Sequence, residues 1–209
     1  MPKALIESLT LATDDDRARI LFVMEMDKMK SIYRQTYLLD QSRRETDAEH
    51  SWHLAMLALS FSNHRPEGSD LLKIIKMCLI HDIVEIDAGD TFAFDKKGYE
   101  DKAERETLAA DRLFNLLPSP EADRLRALWD EFELGDSAEA KFAVALDRLQ
   151  PLLSHVATEG ASWVSHGVHL DDVLVRLSPI REMLPSLWPV VEDILRTAEE
   201  EHILLKVDQ

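Results

Sequence analysis

The chain has 209 residues, of which 45% are apolar, enough for one domain to bury a sizeable core. Its 24 Lys and Arg face 40 Asp and Glu, a net charge of −16 that excludes sequence-independent binding to a nucleic-acid polymer and a basic membrane-surface helix. The single cysteine, Cys78, excludes an internal disulfide framework and a cysteine zinc cluster, and no apolar run approaches the roughly 18–20 residues of a membrane span.

In chain order, Asp14, Asp15 and Asp16 suit a helix N-terminus. After them Ile20, Leu21, Val23, Met24, Met29, Ile32 and Tyr33 recur at helical spacing and predict a first helix up to about Leu39. Thr46 and Glu49 form a capping box for a second helix, which carries Trp52, Leu54, Met56, Leu57 and Phe61. Ser69 is placed to cap a third, apolar on nearly every side to about Asp87 and so central and buried. Residues 88–98, AGDTFAFDKKG, read as a loop, and a fourth helix spans about 99–117. Ser119 caps a fifth, with Pro120 at its first position and Gly135 past its end. A sixth runs from about Ser137 to Thr158, where Pro151 should kink it or end it early. The segment EGASWVSHGVHL reads as a loop, and one or two helices cover about 170–206.

No stretch alternates with period two for long, and six Gly and eight Pro are few for a strand-rich fold. The expected architecture is all-α, a compact multi-helix bundle in one domain over 1–209, with its core at about 20–160. An amphipathic C-terminal face of Trp188, Val191, Ile194 and Leu195 suits a homodimer. The N-terminal segment lacks the charged, apolar, small-residue order of a secretory signal, so a cytoplasmic location is expected.

The chemistry concentrates in four residues. His81 and Asp82 are adjacent on the most apolar helix, where a charged Asp is costly unless paired or metal-bound. His50 sits in the first turn of the preceding helix, within DAEHSWH, and Asp147 lies between apolar neighbours in AVALDRLQP. Two imidazoles and two carboxylates suit a divalent ion and leave positions for water. Neighbours on an α-helix point about 100° apart, so His81 and Asp82 reach one ion only if it sits between them. The bland alternative for His-Asp alone is a salt-bridged pair at a helix end. Between Lys28 and Arg44, five cations (Lys28, Lys30, Arg34, Arg43, Arg44) oppose Asp40 alone. Guanidinium groups suit a phosphate dianion, and pairing with surface acids is the rival reading.

On the segments RRETDAEHSWHLA, CLIHDIVEIDAGD and AVALDRLQP, the chain resembles the HD-domain superfamily of metal-dependent phosphohydrolases. The H…HD…D pattern of that superfamily falls on His50, His81, Asp82 and Asp147, and the resemblance covers about residues 20–160. Within it the chain is most similar to the 5′-nucleotidase and 5′-deoxynucleotidase branch. The resemblance implies an HD-type helical fold and one divalent ion (Mn, Co, Mg, Zn or Fe) on those four ligands. It implies Glu85 and Asp90 as proton-handling acids, Arg34 as the phosphate or sugar contact, and Arg43 as support from just before the His50 helix. Lys96 and Lys97 in the following loop are weaker candidates. Glu85 is four residues after His81 and three after Asp82, on the same helix face.

The implied reaction removes the 5′-phosphate from nucleoside or deoxynucleoside 5′-monophosphates, with water activated by the ion. Two-metal members of the superfamily supply further histidines after the His-Asp pair. None lies between His81 and His155, so one ion is expected. Some deoxynucleotidases carry Trp after the arginine matched by Arg34; Gln35 stands here and relaxes the expectation of sugar selectivity. A regulatory module that holds nucleotide or metal without hydrolysis is the alternative, against which Glu85 and Asp90 argue. A di-iron bundle would need paired Glu-x-x-His motifs, which the sequence lacks. His53 shares the His50 face as a pocket or packing residue. His64, His155, His166, His169 and His202 read as surface or loop residues, and Cys78 as a buried, inert thiol.

Overall fold

A computed structural model describes residues 12–206. Helix α1 (Asp14–Met26) starts where Thr13 accepts from the Asp16 amide, with the three aspartates in its first turn. It does not reach Leu39. A 3-10 segment, Asp27–Ser31, ends it, and Ile32 turns extended. Strand β1 (Tyr33–Tyr37) then pairs antiparallel with β2 (Arg44–Thr46), Tyr33 opposite Thr46 and Tyr37 opposite Arg44. The aromatic and β-branched run Tyr33, Thr36, Tyr37 favours a pleated surface, and a nearby partner strand overrides the helical spacing that precedes it. Because β1 spans more residues than β2 between those pairs, the register is interrupted by a bulge-like irregularity.

Thr46 ends β2 and, by the expected capping box with Glu49, starts α2 (Asp47–Ser60). Helix α3 (Leu71–Ile80) is capped by Asp70, which accepts from Leu72, whereas the Ser69 hydroxyl donates to the Pro66 carbonyl. The expected continuous third helix tightens to a 3-10 turn at His81–Val84 before the short α4 (Glu85–Ala88). Helix α5 (Lys102–Phe114) is shorter at both ends than expected. Helix α6 (Glu121–Leu134) ends at Gly135 in the left-handed conformation, and the Ser119 hydroxyl donates to Asp123 rather than capping the backbone.

Helix α7 (Ala138–Ala157), begun by Ser137, runs through Pro151 without ending. A proline there removes the donor that would bond the carbonyl four residues back, that of Asp147, and tertiary packing on both sides holds the helix together. The segment after it is not wholly a loop, since Ala161–His166 forms α8. Helices α9 (Leu170–Met183) and α10 (Trp188–Glu200) follow.

The larger core joins α2, α3, α7, α9 and α10 through Leu54, Ile74, Met77, Phe142, Leu146 and Ile180. A second packs α1, the end of α3, α5 and α6 around Phe22, Ile83, Leu113, Phe114 and Trp129. Trp188, Val191 and Leu195 are buried in the first core, so the face offered as a dimer surface is covered within the chain. Among the described residues no helix is long and apolar enough to cross a membrane.

Candidate metal centre and the adjoining cleft

The capping box sets where α2 begins, and so places His50 in its first turn, fully buried. Its Nδ1 is 3.0 Å from the Gln150 Oε1, and its Nε2 is 2.9 Å from Asp147 Oδ1. His81 opens the 3-10 turn. Its Nδ1 donates to the Cys78 carbonyl at 3.0 Å, while its Nε2 is buried with no hydrogen-bond partner. Both imidazoles therefore spend Nδ1–H on an oxygen acceptor and turn Nε2 inward, the second-partner arrangement common to metal-ligating histidines. Helix α6 steadies His81 from behind: the Trp129 indole donates to its carbonyl at 3.1 Å, and the Phe132 ring lies 4.9 Å from the imidazole.

The tighter 3-10 turn brings the neighbours together, with Asp82 Oδ2 3.2 Å from His81 Nε2 and 3.7 Å from His50 Nε2. His50, His81 and Asp82 could hold a metal ion on three converging atoms. Asp147 Oδ1 borders the same point, 3.6 Å from His81 Nε2.

The electrostatics fit a cation. Burial disfavours the Asp82 carboxylate, yet His81 and Arg34 outweigh it and hold its pKa far below the usual range. Asp147 is likewise held low against burial, by Arg148, His50 and His81. Burial disfavours charged His81, but Asp82 and Asp147 raise its pKa to about 10. Two ionised carboxylates thus draw positive charge onto His81, a demand that a divalent ion meets directly. With an orphaned Nε2 and a nitrogen–oxygen donor set, these residues fit such an ion.

Around this centre lie carboxylates of opposite tendency. Burial, and then the charge of Asp82, push Asp47 up to about 7 and raise Glu85 well above its ordinary value. Asp90 is also raised, first by burial. Gly89, at φ +77 and ψ 148, ends α4 in a conformation suited to glycine and turns the chain so that Asp90 lines the cleft. Arg105 from α5 pins this loop by donating to the Thr91 hydroxyl at 3.2 Å and the Gly98 carbonyl at 3.0 Å.

Strand β1 carries Arg34 to the centre, where its Nη1 is 2.7 Å from Asp82 and 3.5 Å from Asp47. Arg43 does not reach it. Its guanidinium forks onto Glu49 at the surface, with one bond of 2.8 Å, and so braces the capping box rather than facing the cleft. Lys28 and Lys30 are taken by Glu25 and Asp27, so the basic stretch sends one member, Arg34, inward. Gln35 lines the cleft beside it.

Several participants were not singled out by the sequence reading. Gln150 receives from His50 and donates to Glu45 at 3.0 Å, and its amide lies 3.2 Å from His53 Nδ1. It sits three residues after Asp147, a spacing that helical periodicity makes legible. Arg148 pairs with Asp147, and Arg176 from α9 reaches the cleft with no local signal. His155, read as a surface or loop residue, is buried and stacked 4.1 Å from Trp163; burial lowers its pKa to about 3. Cys78 is fully buried, and burial followed by Asp147 pushes its thiol up to about 12.

A partly open cleft adjoins the centre. Arg34 and Asp90 stand at its inner end, and Phe92, Trp163, Val173 and Leu177 give it apolar walls.

Fold and site define a helical domain gathering two buried imidazoles and two carboxylates beside a polar-ended cleft. The chain belongs to the HD-domain family, whose sequence model matches residues 26–188. It is similar to the crystal structure of a predicted metal-dependent phosphohydrolase from Magnetospirillum magnetotacticum, with 46% identity and a TM-score of 0.86 over 91% of this chain and 95% of that one. Human 5′-deoxynucleotidase HDDC2 is 28% identical over 151 residues, 72% of each chain. A conserved hypothetical protein from Pyrococcus furiosus shares the fold, with a TM-score of 0.61 at 22% identity over 85% of this chain and 99% of that one.

Proposed function

We propose that this chain is a phosphomonoesterase that removes the 5′-phosphate from nucleoside or deoxynucleoside 5′-monophosphates. One divalent ion would be held by His50, His81, Asp82 and Asp147. The observation that carries the reading is the pair of buried imidazoles, each fixed through Nδ1 and turned by Nε2 toward ionised carboxylates. Bound there, a divalent ion of the Mn, Co, Mg, Zn or Fe class supplies Lewis acidity toward the phosphate and acidifies water. Arg34 offers its guanidinium to the phosphoryl oxygens, where charge builds as the ester bond breaks. Glu85 and Asp90 move the protons. One is taken from the attacking water as its oxygen bonds to phosphorus, and one is delivered to the departing ester oxygen. The apolar walls hold the rest of the substrate and keep bulk water away. The relatives named as phosphohydrolase and 5′-deoxynucleotidase support this reaction class, and a domain with these ligands in one chain needs no partner subunit to complete the centre.

The test strips the protein of metal and restores Mn²⁺, Co²⁺, Mg²⁺ or Zn²⁺ singly. Phosphate release is then measured from ribo- and deoxynucleoside 5′-monophosphates, with Asp82→Ala alongside. Release should depend on the metal and fall by about 10³-fold or more in the variant, with its circular dichroism unchanged, as expected for loss of a metal-centred transition-state contact. Metal-dependent turnover retained in Asp82→Ala would falsify the assignment. Nucleotide binding without release under every metal would favour the regulatory alternative.

A further inference from the structure

Helices α2 and α3 follow one another in the chain and pack directly together. Their inner sides bury Leu54, Leu57, Ile74 and Met77 in the larger core. Their outer sides repeat one spacing. Trp52, Met56 and Leu59 on α2, and Leu72, Lys76 and Leu79 on α3, fall at i, i+4 and i+7, so each trio shares one side of its helix. All six are exposed, Trp52 to 63% and Leu72 to 57%. Because the helices are neighbours and both rows point away from the same core, the rows form one continuous surface. A helix as apolar as α3 normally lies inside a protein, yet one of its sides meets solvent here. The charge pattern is also unlike the rest of the chain. Acids are 40 of the 209 residues, but residues 50–60 and 71–80 contain none. Lys73 is paired with Glu131, and Lys76 has no carboxylate within ion-pair distance among the described residues. Exposed Trp, Met and Leu with no acid among them are the composition of the centre of an interface.

We infer that the outer face of α2 and α3 is an interface between two copies of this chain, related by a two-fold axis. Charge selects the face. Each copy carries −16, so contact through most of the surface would set acids against acids, and here there are none to oppose. Charge also disfavours an anionic lipid surface, because one unpaired lysine does not offset the rest of the chain. The area suffices. Helices of 14 and 10 residues are about 21 and 15 Å long, and the outward halves of cylinders 10–12 Å across expose roughly 600 Å². That reaches the lower edge of the roughly 600–1,000 Å² per partner found in specific complexes, and a micromolar dissociation constant is expected. The homodimer therefore forms through α2 and α3 and not through the covered face at Trp188. The surface is separate from the candidate centre. His50 and Trp52 are two residues apart on α2 and so point about 200° apart, His50 fully buried and Trp52 outward. The inference thus goes beyond the phosphomonoesterase reading and does not depend on it.

The experiment is sedimentation equilibrium of the full chain at about 1–200 μM, a range that spans the dissociation constant expected for so small an interface. Wild type should pass from monomer to dimer across it. Association should be tighter at about 0.5 M salt than at about 0.05 M, because salt screens the repulsion between two acidic chains and leaves the apolar contact. Met56→Glu and Leu72→Glu, one on each helix, should each raise the dissociation constant about 100-fold or more, since the two-fold buries the new carboxylate twice. Both positions are exposed in the single chain, so circular dichroism and Tm should match wild type. Val190→Glu adds the same charge at an exposed position on α10 and should leave the dissociation constant within about threefold. A wild type that stays monomeric at every concentration overturns the interface. So does a dimer that survives either substitution on α2 and α3, or one that Val190→Glu weakens as much. A monomer that co-sediments with phosphatidylcholine–phosphatidylserine vesicles, and loses them in Met56→Glu, would assign the face to lipid and overturn the second copy.

Discussion

At the candidate metal centre, opposite charges are already matched; on the cleft wall, the half-buried Arg176 has no carboxylate within ion-pair distance among the described residues. His50, His81 and Arg34 each lie against a carboxylate, and Gln150 ties His50 to Glu45. Arg176 instead lines the cleft with the Tyr99 hydroxyl, at 3.5 Å, as its hydrogen-bond partner. The difference follows from what each region must do. A centre proposed to present several ligand atoms to a metal ion gains from being arranged beforehand, because positioning costs are then met during folding. A cleft proposed to receive a phosphoester gains from a charge left unmatched, because the ligand then completes it.

Breaking the prearrangement should have the largest effect among the changes that spare the ligands. Gln150→Leu removes the acceptor for His50 Nδ1–H and the donor to Glu45, while leaving all four candidate ligands in place. Metal affinity, measured by competition with a chelator, should fall about 10- to 100-fold. An unchanged affinity would mean that His50 is positioned by helix packing alone.

The cleft is probed next through His155. Its pKa is about 3 in the fold, against about 6.5 in an unfolded chain. Above about pH 6.5 the imidazole is neutral in both states and carries no pH-dependent cost. As the pH falls from there toward 3, the unfolded chain takes a proton that the folded protein refuses, so stability drops by up to about 1.4 kcal/mol per pH unit. Denaturant titrations between pH 7 and 4 should show a shallower loss in His155→Leu than in wild type. Equal slopes would place the acid sensitivity elsewhere.

The smallest effect is expected outside both regions. Arg43→Gln removes an exposed ion pair with Glu49 that solvent screens, so stability should barely change. Its kcat/KM should change less than about threefold, within what a surface charge does at a distance. A loss as large as that of Gln150→Leu would put Arg43 back at the substrate.

How much of this was legible in the chain varies by element. Thr46 with Glu49, and Ser137 before α7, announced their helices because a cap is a contact between residues three apart. His50, the His81-Asp82 pair and Asp147 stood out because polar groups among apolar neighbours need a reason. The β1–β2 pair was missed because Tyr33 extends the helical spacing of α1, and only a partner strand decides between helix and strand. The passage of α7 through Pro151 was missed for a similar reason, since local rules count the lost hydrogen bond but not the packing that outweighs it. Arg43 and Arg34 are near neighbours in sequence with the same chemistry, and no local rule told which would turn inward.

The sequence by itself determined the helical class, most helix starts, the burial of the third helix and the residue types able to hold an ion, since these depend on periodicity and on contacts within a turn. Tertiary structure decided the rest. It closed His81 against Asp82 through a 3-10 turn, set Arg34 on a short strand against Asp82, placed Gln150 behind His50, and brought Arg148 and Arg176 to one cleft. Apart from that turn, these placements join residues 28 to 100 positions apart, and they form only when two cores pack the helices into one arrangement.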